Sequence, residues 1–337
     1  MALQDHLETI ARENYDPLLK GQSYEEDPGY FIFARKAKTL AGGRRVREKV
    51  RWVDRRWGGS FGRFDTFNME PKEQYQMPYF TWAYYEEPML ISKIDEALAQ
   101  GPEQLVDILD EDYTSAREAL FMNIMEDFYG LGGGNDLVGM QNLVAASSST
   151  DCGGITVSDT VDPVTGVAWW DNQRDTTTTA LSVDDFDTMW MSCKQTSGIG
   201  GKLQTPDLIL CSEDVYRIIE AMFYPHATNA YPYATVNIPA SATLAKYGFE
   251  NFKYKSAVIT PTSYLNSANG TNTYCFFLNT DTIKMKILKK INMMRTPFVS
   301  PYNSFDYSAH LIHSICMTTN SRRHNGVFTA LATRQNA

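Results

Sequence analysis

Histidine and cysteine are scarce in this 337-residue chain, with five of each, and neither is arranged for chemistry. Cys152, Cys193, Cys211, Cys275 and Cys316 are odd in number, widely scattered and form no C-x-x-C pair. That pattern argues against a disulfide framework or a zinc site and for free buried thiols in a reducing compartment. His310 and His313 stand three apart in an apolar, strand-like run, so their side chains should point to opposite faces, a poor geometry for a shared metal. No stretch approaches the roughly 20 apolar residues that a membrane helix needs. The start, Met1-Ala2-Leu3-Gln4-Asp5, lacks the basic-then-apolar layout of a signal peptide, so the chain is expected to fold where it is made.

The familiar catalytic signatures are missing as well. Gly130-Leu131-Gly132-Gly133-Gly134-Asn135 follows a helix rather than a strand and is not succeeded by Lys-Ser/Thr, so it reads as a helix stop and loop, not a phosphate cradle. Ser212 sits on a strand-to-helix turn, but Leu210-Cys211-Ser212-Glu213-Asp214 is not G-x-S-x-G; Ser212 reads as a helix N-cap and Cys211 as core. Glu86-Glu87 and Asp184-Asp185 are adjacent acids whose side chains diverge, which excludes a carboxylate dyad. Asn269-Gly270-Thr271 matches a glycosylation sequon and reads as a turn. No cofactor or metal is expected.

What the chain does have is ordinary globular composition, 43% hydrophobic with a mean hydropathy of −0.34, and length enough for two domains. Its charge is polarised. Residues 35–63 carry eleven Lys/Arg and only Glu48 and Asp54 as acids, whereas residues 95–127 carry ten acids and one base, Arg117. A basic segment and an acidic one of equal excess suggest that copies of the chain attract one another, while the net charge of −9 opposes phosphate binding.

Residues 1–34 read as an arm broken by Asp16-Pro17, Gly21 and Asp27-Pro28. Residues 35–68 read as a two-stranded hairpin. Val46 to Val53 alternates with period two, placing Arg45, Arg47, Lys49 and Arg51 on one face and Val46, Val50 and Trp52 on the other. Asp54-Arg55-Arg56-Trp57 would form the tip, with Phe61, Phe64 and Phe67 returning. Arg44, Arg45, Arg47, Lys49, Arg51, Arg55, Arg56 and Trp57 are therefore the candidate intersubunit contacts, ahead of a solvated edge or a nucleic-acid surface.

Residues 74–93 read as a strand entering the core. Residues 102–129 form the clearest helix: Pro102 suits the first turn, Leu105, Leu109, Tyr113, Ala116, Leu120, Ile124 and Phe128 make its apolar stripe, and Gly130 stops it at C′. Further helices are expected at 184–194 and 213–223, and strands at 208–211, 249–260, 274–279, 282–288 and 309–319.

This order of elements resembles the major capsid proteins of tailed bacteriophages with the Hong Kong phage-type fold. Local stretches carry the likeness: Trp169-Trp170-Asp171-Asn172-Gln173, Pro206-Asp207-Leu208-Ile209-Leu210-Cys211-Ser212, residues 247–255, Phe276-Phe277-Leu278-Asn279-Thr280, and Ser321-Arg322-Arg323-His324-Asn325-Gly326-Val327. The resemblance implies an α+β fold: N-terminal arm 1–34, extended E-loop 35–70, peripheral domain 71–150 with spine helix 102–129, axial domain 151–290, and return strands 291–337. It implies pentamers and hexamers of the chain in an icosahedral shell enclosing double-stranded DNA without reading its sequence, in a virion assembled in bacterial cytoplasm. The short arm implies a separate scaffolding protein, beside a portal and a decoration protein. Some members crosslink through a loop lysine; Lys36, Lys38 and Lys49 lie in or near this loop, but no partner acid and asparagine is identifiable. An encapsulin compartment of the same fold, and an α+β enzyme, are the alternatives.

Overall fold

The computed structural model describes residues 27–51, 60–63, 66, 75–94, 108–161, 168–196, 203–223, 251–265, 274–302 and 306–334. Two sheets and one long helix organise them. The first sheet is built on the strand Asp306–Thr319, which pairs antiparallel with Ala83–Ser92 along one edge and with Ile283–Leu288 and Met294–Arg295 along the other. Lys38–Leu40 adds to Ile283–Leu288 in parallel. Apolar residues along Asp306–Thr319 account for its central place, since Ala309, Leu311, Ile315, Cys316 and Met317 are all buried.

The helix Ile108–Tyr129 lies across this sheet, at 1.5 Å per residue about 33 Å long. Residues 102–107 of the expected helix lie outside the described residues. Ala116, Leu120, Ile124 and Phe128 recur at i+4 and are buried together with Met125 and Tyr129. Full burial of each large member contributes roughly 1.5–3 kcal/mol. Tyr85 ties sheet to helix end: its hydroxyl donates to Asp127 at 2.6 Å and accepts from the Leu137 amide at 3.1 Å. The helix stops before Gly130, but not by the left-handed C′ geometry expected. Left-handed φ falls later, at Gly132 and Gly134 (69° and 62°). The close approach falls at Gly139, where an added Cβ would collide with the Gly130 carbonyl, the oxygen that accepts from the Gln141 amide at 3.2 Å.

The second sheet has six strands in the order Phe252–Tyr254, Ala257–Pro261, Leu208–Cys211, Cys275–Leu278, Gly326–Phe328, Gln173–Asp175. Its central strands are continuous apolar runs because both faces are covered. Leu208, Leu210, Phe276 and Leu278 pack toward the long helix. Ile209, Cys211, Cys275 and Phe277 pack toward the helices Val183–Cys193 and Glu213–Phe223. Ser182 caps the first of these in a reciprocal box with Asp185, and Ser212 caps the second as expected. Of residues 249–260, expected as one strand, the described part makes a hairpin: Phe252–Tyr254 folds back on Ala257–Pro261 through Lys255 at φ 51°. The polar pair Lys255-Ser256 interrupts the apolar run and supplies the turn.

Two short connections cross directly between the sheets, at 279–282 and at 320–325. Ile283–Leu288, within the segment 151–290, pairs in the first sheet, and Gly326–Phe328, within 291–337, pairs in the second.

Candidate intersubunit surface

The basic segment leaves the first sheet at Leu40 and forms a ribbon with residues 75–80. Val46 stands opposite Phe80, Arg47 opposite Tyr79, Val50 opposite Gln76 and Arg51 opposite Tyr75, all in one register. The return strand is thus Tyr75–Phe80, not the Phe61–Phe67 stretch expected. Phe61, Phe64 and Phe67 recur with period three, which cannot place them on one face of a strand. Phe61 is exposed and its neighbours are irregular, while Phe64 and Phe67 lie outside the described residues.

Alternation in the outgoing strand decides what faces out. Val46 and Val50 are buried with Phe80, whereas Arg44, Arg45, Arg47 and Lys49 are exposed and Arg51 is half-buried. Two of these cations stack on tyrosines of the return strand: the Arg45 guanidinium lies 4.5 Å from the Tyr79 ring centre and Lys49 Nζ 4.1 Å from that of Tyr75. These like charges therefore find aromatic faces within the chain. Arg55, Arg56 and Trp57 lie outside the described residues.

Glu48 takes the inner face with the valines. Its carboxylate pairs with Lys286 and accepts from the Thr318 hydroxyl at 3.1 Å. The two charged side chains are only 15% and 10% exposed, so Glu48 anchors the basic segment to the first sheet. Sequence reading counted Glu48 only as an exception among cations; its place in the period-two pattern with Val46 and Val50 was the signal for its role.

Beneath the surface, the stretches that carried the family likeness meet at the two crossings between sheets. The Asn279 amide donates to Asn325 Oδ1 at 2.8 Å, and Asn325 Nδ2 donates to Thr282 at 3.2 Å, joining one crossing to the other. Asp207 accepts from the Thr280 amide at 2.7 Å and from its hydroxyl, and Lys36 reaches the same pair. Arg322 is wholly buried and donates to the carbonyls of Leu143, Thr150, Trp170 and Asn142 and to Asn172 Oδ1. Burial lowers its pKa, the carbonyl cage substituting for water. Asp27, also buried, accepts from the Tyr30 amide, the Tyr129 hydroxyl and the Thr262 hydroxyl. Desolvation raises its pKa against the opposing effect of those bonds.

The remaining candidates fall into structural roles. All five cysteines are free and buried, and burial pushes their thiols up, to about 11 for Cys152 and about 12 for Cys316. His313 is buried and His310 faces outward within 3.5 Å of Glu86, so the two histidines do diverge. Asp185 serves the helix cap while Asp184 is exposed. Residues 269–271 lie outside the described residues. Among the described residues no group of three or more His, Cys, Asp or Glu could hold a metal ion, and no helix is long and apolar enough to cross a membrane.

No family model and no curated protein sequence matches the chain. Solved structures do, over nearly its whole length. The cyanophage A-1(L) capsid asymmetric unit aligns with a TM-score of 0.66 at 14% identity, covering 97% of this chain and 98% of that one. The fold is that of Hong Kong phage-type capsid and encapsulin shell proteins. The holo-SrpI encapsulin complex from Synechococcus elongatus PCC 7942 aligns at 0.55 with 10% identity, covering 100% and 99% of the two chains. The capsid of Myoviridae phage XM1 aligns at 0.55 with 11% identity, covering 98% and 99%.

Proposed function

We propose that this chain is the major shell subunit of a tailed bacteriophage head, a structural protein rather than an enzyme. Copies assemble as pentamers and hexamers into an icosahedral shell around double-stranded DNA, in a virion put together in bacterial cytoplasm. The observation that carries this reading is the near-complete coverage, in both directions, of phage capsid chains by this fold. In this reading residues 35–70 are the E-loop, 102–129 the spine helix within a peripheral domain 71–150, 151–290 the axial domain and 291–337 the return strands. The cationic row Arg44, Arg45, Arg47, Lys49 and Arg51, with Arg55, Arg56 and Trp57 toward the tip, lies against an acidic surface of a neighbouring copy. Residues 95–127, with nine more acids than bases, supply charge of the right sign. A separate scaffolding protein, a portal and a decoration protein complete the assembly.

An encapsulin-type compartment is the second reading, supported by the equally complete alignment with the cyanobacterial encapsulin. Electron microscopy of the purified chain, alone and co-expressed with its genomic neighbours, tests both. Closed shells or rings of five or six support the shell reading. A cavity that holds DNA when the neighbours are present favours the phage head, and a small cavity filled with protein favours the compartment. A chain that stays monomeric under all conditions refutes both. Reversing Arg45, Arg47, Lys49 and Arg51 to Glu should leave a folded subunit that forms no shells; normal shells from that variant would refute the contact.

A further inference from the structure

Glu48 is one of two acids among the eleven cations of residues 35–63, and the ribbon turns it inward. The ribbon's own hydrogen bonds fix its register weakly. At its centre Glu48 stands opposite Pro78: the Glu48 amide donates to the Pro78 carbonyl at 3.1 Å, and proline has no N–H to return the bond. The ladders on either side of that gap are two residues long. The return strand is held separately, by the Tyr79 amide on the Gly153 carbonyl at 3.0 Å. The Trp82 indole on the Gly43 carbonyl, at 2.8 Å, fixes the start of the outgoing strand. Gly43 itself sits at φ 125°, three residues before Val46 and outside both ladders.

Charge closes this gap. Lys286 is held beneath the outgoing strand at 8% exposure, with Glu48 against it. A slip of one residue would turn every side chain of the strand over. Arg47 or Lys49 would then face Lys286, cation against cation in a setting where water screens little, and Val46 and Val50 would face solvent. We infer that the Glu48–Lys286 pair is a register lock: it admits only the alignment in which Arg45, Arg47 and Lys49 face outward as one row. Glu48 is thus a positioning residue for the cationic surface rather than part of it. The lock stands on the ribbon's geometry, and its bearing on assembly rests on the shell reading.

Replacing both partners tests it. In Glu48→Met with Lys286→Met no buried charge is stranded, the volume is retained, and Thr318 keeps its bond to the Lys284 carbonyl at 3.2 Å. The expected result is an unfolding midpoint like that of the parent chain, with amide exchange at residues 46–51 and 75–80 faster by about tenfold or more. The swapped pair, Glu48→Lys with Lys286→Glu, should restore slow exchange. Exchange in the methionine pair as slow as in the parent would overturn the lock. Should the methionine pair fail to fold, the swapped pair decides alone, since slow exchange upholds the lock and fast exchange overturns it. Electron microscopy in parallel separates the lock from the shell reading: a parent chain that forms no particles even when co-expressed with its genomic neighbours sinks the shell reading and leaves the exchange result standing.

Discussion

The Tyr129 hydroxyl donates to the Asp27 carboxylate at 2.6 Å, across 102 residues of sequence. Thr262, the residue after the strand Ala257–Pro261 of the second sheet, donates to the other oxygen at 2.5 Å. One buried carboxylate thereby joins the start of the described chain, the C-terminal end of the long helix and the second sheet. Gly29 completes the junction, because any Cβ there would strike the Tyr129 hydroxyl. Asp27→Ala should orphan both hydroxyls and the Tyr30 amide and lower unfolding free energy by about 2–5 kcal/mol. Tyr129→Phe, which leaves the carboxylate its other partners, should cost about 1–2 kcal/mol. Urea titration of the two variants checks the order; an Asp27→Ala chain as stable as the parent would show that the junction is dispensable.

Arg322 offers a second test. Its five contacts use the planar fork of the guanidinium, and a lysine has neither the reach nor the directions to replace them. Arg322→Lys should cost about 2–4 kcal/mol, read as a fall in thermal midpoint, with carbonyls of residues 142–150 and 170 losing their donors. An unchanged midpoint would mean that water can fill the cage.

His313 sets a pH dependence. Burial lowers its pKa from 6.5 to about 4. Between those values the unfolded chain binds a proton that the folded chain does not, so stability falls as pH drops through that window and this contribution levels off below about 4. The shift corresponds to about 3 kcal/mol. His313→Gln should flatten this part of the stability profile, measured as urea midpoint against pH. Profiles that run parallel from pH 7 to 4 would refute the assignment.

The tyrosine stacks separate folding from association. Tyr75 and Tyr79 are partly exposed beneath Lys49 and Arg45, so Tyr75→Ala with Tyr79→Ala should cost only about 1–2 kcal/mol in subunit stability. If the cationic row makes the intersubunit contact, the same variant should assemble much less well, because the cations lose the rings that hold them in a row. Sedimentation velocity distinguishes a folded but unassembled chain from an unfolded one; wild-type assembly would remove the stacks from the argument.

Much of this was legible in sequence, for local reasons. The apolar stripe from Ala116 to Phe128 and the runs Leu208–Cys211 and 309–319 advertise burial through their own spacing. Ser212 marks a helix start because a cap bond spans only three residues. The alternation of cations with Val46 and Val50 likewise needs only the pleat of a strand. Where the reading went astray, the deciding partner was distant or the local signal ambiguous. Proximity in sequence favours Phe61–Phe67 as the return strand of the ribbon, while the register with Tyr75–Phe80 depends on Glu48, Pro78 and Gly153. The hairpin at Lys255 was hidden in a run of strand-forming residues, since a turn with positive φ at lysine leaves no glycine to mark it.

By itself the sequence determined the inventory: which segments bury a face, where helices begin, that the thiols are scattered single residues, and that charge is divided into a basic stretch and an acidic one. These properties depend on neighbours within a few positions along the chain. Only the tertiary structure decided that Glu48 would meet Lys286, that Asn279 would meet Asn325 across the two sheet crossings, and that Arg322 would be caged by carbonyls from residues 142 to 170. Such contacts join residues tens to hundreds of positions apart, and they form where two sheets and a helix leave polar groups that water cannot reach. No local pattern encodes them, because each polar group is satisfied by whatever the packed fold brings opposite it.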